Sequence, residues 1–136
     1  MAFSSRFRNS IRVRYGEVDQ QGVVFNAHYM AYIDDTLEHF MSTLGDLRDL
    51  GWDMMMKKID IEWQGSAGNG DVVDVDVAAV RWGNTSFELG YAGSVEGRPV
   101  FTSTVLYVSV QLGTTQTMPT PVEVVEAFGP AVDRPS

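Results

Sequence analysis

Residues 7–44, FRNSIRVRYGEVDQQGVVFNAHYMAYIDDTLEHFMSTL, change their hydrophobic period once, and that change decides the fold. Phe7, Ile11, Val13 and Tyr15 share one parity, while Arg6, Arg8, Arg12 and Arg14 take the other, the pattern of a half-buried strand. Gly16, Asp19, Gln20, Gln21 and Gly22 then break the alternation, and Asn26 has the character of a helix N-cap. From there Tyr29, Ile33, Leu37, Phe40 and Leu44 recur at four, four, three and four residues, which puts them on one face of a helix ending at Gly45 or soon after. Strand, loop and long helix are thus expected in succession.

Downstream the period returns to two. Ile59, Ile61 and Trp63 alternate with Asp60, Glu62 and Gln64 up to the glycine-rich residues 65–70. Val73, Val75 and Val77 alternate with Asp74 and Asp76 up to Gly83 and Asn84, and Phe87, Leu89 and Tyr91 mark another strand before Glu96 and Gly97. Residues 100–110 are apolar on both parities around Val105, Leu106, Tyr107 and Val108, as in a strand covered on both faces. Thr120, Pro121 and Glu123 have the form of a capping box with proline at the first helical position, so a short helix closes the chain. One long helix against about five antiparallel strands is an α+β layer architecture, expected as a single domain over residues 1–136. One helix covers one sheet face only. The doubly apolar last strand asks for a second cover, most simply from another copy of the chain.

Composition removes several functional classes. With no cysteine there is no disulfide, thiolate metal site or cysteine nucleophile, so any chemistry rests on oxygen and nitrogen groups. A formal net charge of -8 disfavours nucleic acid as a partner, although the first-strand arginines could meet an anionic cofactor tail. No run approaches the roughly 18 apolar residues of a membrane helix, and MAFSSRFRNS at residues 1–10 holds no signal-length apolar run. A soluble, cytoplasmic protein without membrane contact is expected. Gln64 stands where a G-x-S-x-G turn needs glycine, and Val73 where a G-x-G-x-x-G turn needs its last one, which excludes the serine-hydrolase and dinucleotide readings.

What remains is a carboxylate, Asp19, seven residues before the start of a helix whose first amides have no intrahelical acceptor. A thioester carbonyl needs donors for its oxygen as the carbon becomes tetrahedral, and a base or nucleophile on the other side. Asp19 and the Asn26 helix end can supply both. Taken alone, Asp19 in a glycine-containing loop reads more simply as a turn-former.

Residues 13–34, VRYGEVDQQGVVFNAHYMAYID, say more. The aromatic Tyr15, the D-x-x-G of Asp19 and Gly22, the apolar Val23, Val24 and Phe25, the polar Asn26 and Tyr29 three residues on together resemble the opening motif of the 4-hydroxybenzoyl-CoA thioesterase-like family of hotdog proteins. Gly70-Asp71 before a valine-rich strand, GNTSF at residues 83–87 and Pro119-Thr120-Pro121 extend the likeness over nearly the whole chain. The resemblance implies a hotdog fold, a long helix wrapped by a curved antiparallel sheet, assembled as a homodimer or homotetramer with its active site between subunits. It implies an acyl-CoA thioesterase in which Asp19 is nucleophile or general base and the Asn26 backbone N–H polarises the carbonyl. Gly22 would allow the tight turn between them. No metal is implied, and coenzyme A enters only as part of the substrate. Gly22, Val24, Phe25, His28 and Tyr29 lie in the stretch expected to meet substrate, and Asp34 stands where hydroxybenzoyl-specific members carry a carboxylate that can meet a ring hydroxyl.

Two features depart from the family pattern. Gly83, Asn84 and Thr85 replace basic residues that contact the nucleotide phosphates, which leaves that role to Arg81 or to Lys57 and Lys58. Alternatively the substrate is carried by an acyl carrier protein, although an acidic surface docks acidic carriers poorly. Ser66-Ala67-Gly68 lacks a proline common there, which affects loop geometry. Simpler readings stand beside the functional ones: His28 as a surface polar residue, Asp34 as a solubilising charge near Glu38, and Met54, Met55 and Met56 as core or strand-edge residues rather than an adaptable pocket. Asp35 and His39 have metal-ligand spacing but lack a third ligand, so no metal is expected. The competing function is a non-catalytic hotdog domain that binds an acyl or aromatic ligand; the retained Asp19 argues against it.

Overall fold

A computed structural model describes residues 3–136. Strand β1 (Phe7–Arg12) leads through a 3-10 turn at Tyr15–Glu17 to helix α1 (Asn26–Ser42). Four long strands follow, β2 (Trp52–Trp63), β3 (Val72–Trp82), β4 (Ser86–Val95) and β5 (Arg98–Gln111), and then helix α2 (Val122–Phe128). The strands form one antiparallel sheet in the order β1-β3-β4-β5-β2. This is the expected hotdog arrangement. α1 buries Tyr29, Tyr32, Ile33, Thr36, Leu37 and Phe40. Its rings interlock with the sheet and α2: Tyr29 meets Phe101 at 5.4 Å and Phe40 meets Phe128 at 5.3 Å, both edge to face.

β2 begins at Trp52, well before the alternation becomes legible at Ile59, and its register explains the delay. Met56 pairs with Tyr107 and Lys58 with Leu106, so Lys57 is the extra residue of a bulge. A bulge switches parity. Met54 and Met56 therefore point to the same side as Ile59, Ile61 and Trp63, which hides the strand from a strict period of two.

Several boundaries differ from expectation for local reasons. β1 stops at Arg12, Val13 donates its N–H to Asp71 O at 2.8 Å, and the chain turns, leaving Tyr15 81% exposed rather than on the buried parity. Asn26 is the first helical residue; Phe25 holds the N-cap position, and no side chain caps the helix. α1 ends at Ser42, short of Gly45. The capping box at Thr120 does not form, because Thr120 Oγ1 bonds Ser109 Oγ at 2.6 Å, and Ser109 Oγ in turn accepts the Trp52 indole N–H at 3.0 Å.

The outer face of the sheet finds part of its cover within the chain. Val132 donates its N–H to Ala79 O, Arg134 pairs with Glu88, and Phe3 and Pro135 converge over Gly90. Thr102, Thr104, Leu106 and Val108 of β5 are only half-exposed. The chain itself thus supplies part of the cover expected from a second copy.

Candidate active site

The loop before α1 is a small hairpin. Val18 and Val24 form an antiparallel bridge, Asp19 donates its N–H to Val23 O at 2.9 Å, and Gly22 donates its own back to Asp19 O at 3.0 Å. Gly22 closes the turn at φ +80, the left-handed region that a side chain disfavours. Asp19 Oδ1 accepts the Gln21 N–H at 2.8 Å, the turn-forming bond expected of an Asp here. Its other oxygen, Oδ2, has no hydrogen-bond partner among the described residues. One oxygen is thus anchored and the other is open. Phe25, paired through its N–H to Glu17 O at 2.9 Å, delivers the chain to Asn26. The Asn26 N–H has no acceptor within the helix, and no side-chain cap receives it. Donors of this kind stabilise a developing oxyanion.

The base of the hairpin rests on a residue that sequence reasoning overlooked. Glu17 is only 8% exposed. Its Oε1 accepts the Arg14 N–H at 2.9 Å and the Tyr32 hydroxyl at 2.9 Å, and Oε2 accepts the Arg14 guanidinium at 2.8 Å. Burial pushes the Glu17 carboxyl up, but these donors outweigh it and hold the group at about 2. Burial and the Glu17 charge push the Tyr32 phenol well above its ordinary range, so Tyr32 keeps its proton and donates it to Glu17 in the hydrogen bond. Arg14 and Glu17 at a spacing of three were visible in the chain; Tyr32, fifteen residues on, was not.

The other expected contacts occupy different positions. Val24 faces the core, and its N–H is engaged by Ala67 O at 2.9 Å. Val23 bridges to Gly68, so the loop at residues 65–71 packs on the hairpin. Tyr29 is buried among Phe101, Trp63 and Tyr32 with its hydroxyl beside the Ala67 backbone and no well-formed hydrogen bond. Phe25 is 54% exposed, edge to face with the half-buried His28.

Asp34 lies eight residues beyond Asn26, about 12 Å along the helix. It borders a recess of about 690 Å³ lined also by Leu37, Glu38, Met41, Leu47 and Met54. Partial burial raises the Asp34 carboxyl above its ordinary value, although the residue as a whole stays exposed. Asp19 does not line this recess. The structure therefore groups Asp19, Gly22 and Asn26 at the start of α1 and sets Asp34 at its middle, bordering a recess that extends along its C-terminal half.

Most cations proposed for an anionic tail are already engaged. Arg8 binds Asp76 through two hydrogen bonds of 2.9 Å, Arg14 binds Glu17, and Arg81 pairs with Glu88 and Ser86 Oγ. Lys58 lies 3.7 Å from Asp60, and Lys57 is exposed at the bulge. His39 Nδ1 faces the Asp35 backbone O at 2.8 Å, and no metal-binding group of three or more His, Cys, Asp or Glu occurs among the described residues. No helix of the described residues is long and apolar enough to cross a membrane.

Comparison with known proteins gives the same frame. Residues 13–128 match the model of the thioesterase-like superfamily. A 1,4-dihydroxy-2-naphthoyl-CoA hydrolase of Synechococcus elongatus is 25% identical over 115 residues, covering 80% of this chain and 85% of that one. The crystal structure of a 1,4-dihydroxy-2-naphthoyl-CoA thioesterase from Synechocystis superposes with a TM-score of 0.77 at 18% identity over 90% of this chain and 94% of that one. The gentisyl-coenzyme A thioesterase BH1999 gives a TM-score of 0.80 at 22% identity over 90% of this chain and 100% of its own. The chain therefore belongs to the thioesterase-like superfamily, with the hotdog fold of these structures.

Proposed function

We propose that this protein is an acyl-CoA thioesterase, acting in the cytoplasm as a homodimer or homotetramer with Asp19 as its catalytic carboxylate. The observation that carries the reading is the hairpin that presents Asp19 with one oxygen open, on the arm opposite the one that leads into the uncapped Asn26 amide. As a general base, Asp19 takes a proton from water while the water oxygen attacks the carbonyl carbon and the Asn26 N–H receives the growing negative charge. The C–S bond then breaks, the acid departs, and the thiolate of coenzyme A recovers the proton. As a nucleophile, Asp19 instead attacks the carbonyl carbon, and the C–S bond breaks to release the coenzyme A thiolate. Water then opens the resulting anhydride, freeing the acid and restoring Asp19, while the proton that water releases goes to the thiolate. Either route proceeds without a metal or a further cofactor.

The separation along α1 supports a site shared between two copies. Asn26, Met30, Asp34, Glu38 and Met41 succeed one another at three to four residues, one stripe connecting the helix start to the recess, and Met30 stays exposed. Two copies with these helices antiparallel would bring the Asp19 end of one to the recess of the other. The acyl group would occupy the recess, whose size suits a small ligand. The named substrates of the relatives carry hydroxylated rings, which makes such acyl groups the first to try, with Asp34 as acceptor for a ring hydroxyl. Phe25 and His28 would border the reacting end, whereas Tyr29 is buried in the core behind it.

Thiol release by purified protein across short, medium, long and aromatic acyl-CoAs tests the activity. We expect turnover on at least one, and silence across the panel would remove the reading. Light scattering tests the assembly: a 15.1 kDa monomer at micromolar concentration would remove the shared site. Turnover lost to EDTA and restored by a divalent ion would contradict the metal-free mechanism.

A further inference from the structure

We propose that Glu17 and Tyr32 form a positioning latch that holds the Asp19 rung of the hairpin in fixed relation to the Asn26 end of α1. The proposal rests on Asp19 being the thioesterase carboxylate. Glu17 lies two residues before Asp19 and grips the structure twice. Its backbone O accepts the Phe25 N–H, one residue before the Asn26 amide, and its carboxylate accepts the Tyr32 hydroxyl from within α1, six residues after Asn26. The Val18–Val24 bridge and the Asp19–Val23 bond then stack directly on that grip. Asp19 and Asn26 come from opposite arms of the hairpin, and Glu17 binds the first arm to both the second arm and the helix body.

A purely stabilising role explains the arrangement less well. Exposed ion pairs contribute little, and the stability that Glu17 gains from its donors does not require that it join both arms of the hairpin. Arg14 is 80% exposed on its side of the pair, so the strong part of the contact is the buried bond to Tyr32. What that bond adds is position. Misplacing a reacting group by about 1 Å can cost about 10²-fold in rate.

The test is a double-mutant cycle on the best acyl-CoA substrate. Tyr32→Phe removes one hydroxyl and keeps the ring on Tyr29. We expect kcat to fall about 10-fold or more with KM held within about twofold. On an Asp19→Asn background the same change should alter the residual rate less than about twofold, since the carboxylate to be positioned is already gone. Wild-type kcat in Tyr32→Phe, or equal losses in both backgrounds, would overturn the latch while leaving Asp19 as the thioesterase carboxylate. A wild type inactive on every acyl-CoA would remove the thioesterase reading and the latch together, and is recognised before any variant is made. If Tyr32→Phe does not fold, Glu17→Gln passes through the same cycle with the same criteria.

Discussion

The two ends of α1 are built in different ways. At the N-terminal end, Asp19, Val23, Gly22, Phe25 and Glu17 are tied by backbone hydrogen bonds, and Glu17 adds a buried carboxylate with three donors. At the C-terminal end, the recess is walled by flexible Met41 and Met54 and by Asp34 and Glu38, whose carboxylates make no hydrogen bond among the described residues. Backbone bonds hold a reacting group to a fraction of an ångström, whereas long side chains adapt to what they meet. The difference assigns chemistry to the rigid end and choice of acyl group to the adaptable one.

One exchange made at both ends probes that assignment most strongly. Asp19→Asn should keep fold and assembly and lower kcat by roughly 10² to 10⁴ on every acyl-CoA that the protein hydrolyses. Asn can still accept the Gln21 N–H, so a mere turn-former would tolerate it, and a rate within about threefold of wild type would show Asp19 to be one. Asp34→Asn should leave kcat on unsubstituted benzoyl-CoA within about threefold. It should lower the preference for 4-hydroxybenzoyl-CoA about 10-fold or more, the scale of a hydrogen bond to a charged group. Equal effects of Asp34→Asn on both substrates would break the proposed division.

The rigid end also carries an acid signature. The Glu17 carboxyl lies at about 2 in the folded protein, below its ordinary 4.5. A lowered folded value means stability that is complete above the unfolded value and is lost as pH falls from about 4.5 through about 2. In denaturant titrations, wild type should exceed Glu17→Gln most at neutral pH, and the gap should narrow across that window. A gap independent of pH between 6 and about 2.5 would show that the carboxylate is not held by its donors.

How much of this was legible in the chain follows from how far apart the partners lie. The α1 stripe and the alternations at residues 59–63, 73–77 and 87–91 are periodic, and each period is set by burial within one element. The D-x-x-G turn is local too, and Gly22 shows why glycine stands there. The N-terminus of α1 was misjudged by one residue because Asn26 looks like a cap, whereas the Phe25–Glu17 bond, between arms of the hairpin, sets where the helix begins. Thr120 looked like a cap until Ser109, eleven residues back, took its hydroxyl. The Tyr32–Glu17 latch and the passage of residues 129–136 onto the sheet leave no periodic trace, since each depends on contacts between distant segments.

The smallest expected effect compares two glycines within the rigid end itself. Gly22 has φ +80, and a Cβ built there would meet nothing within 4 Å. Gly22→Ala is thus disfavoured by backbone conformation alone, by roughly 1 kcal/mol, lowering Tm by roughly 4 °C. Gly16, in the 3-10 turn on the other side of Glu17, also has open space around it but no positive φ. Gly16→Ala should therefore stabilise by about 0.5 kcal/mol, because the substitution restricts only the unfolded chain. Calorimetry on the two variants reads both signs. Equal Tm values would mean that the hairpin relaxes to accept a side chain at residue 22, and the rigid frame assigned to Asp19 would then be too soft to hold it.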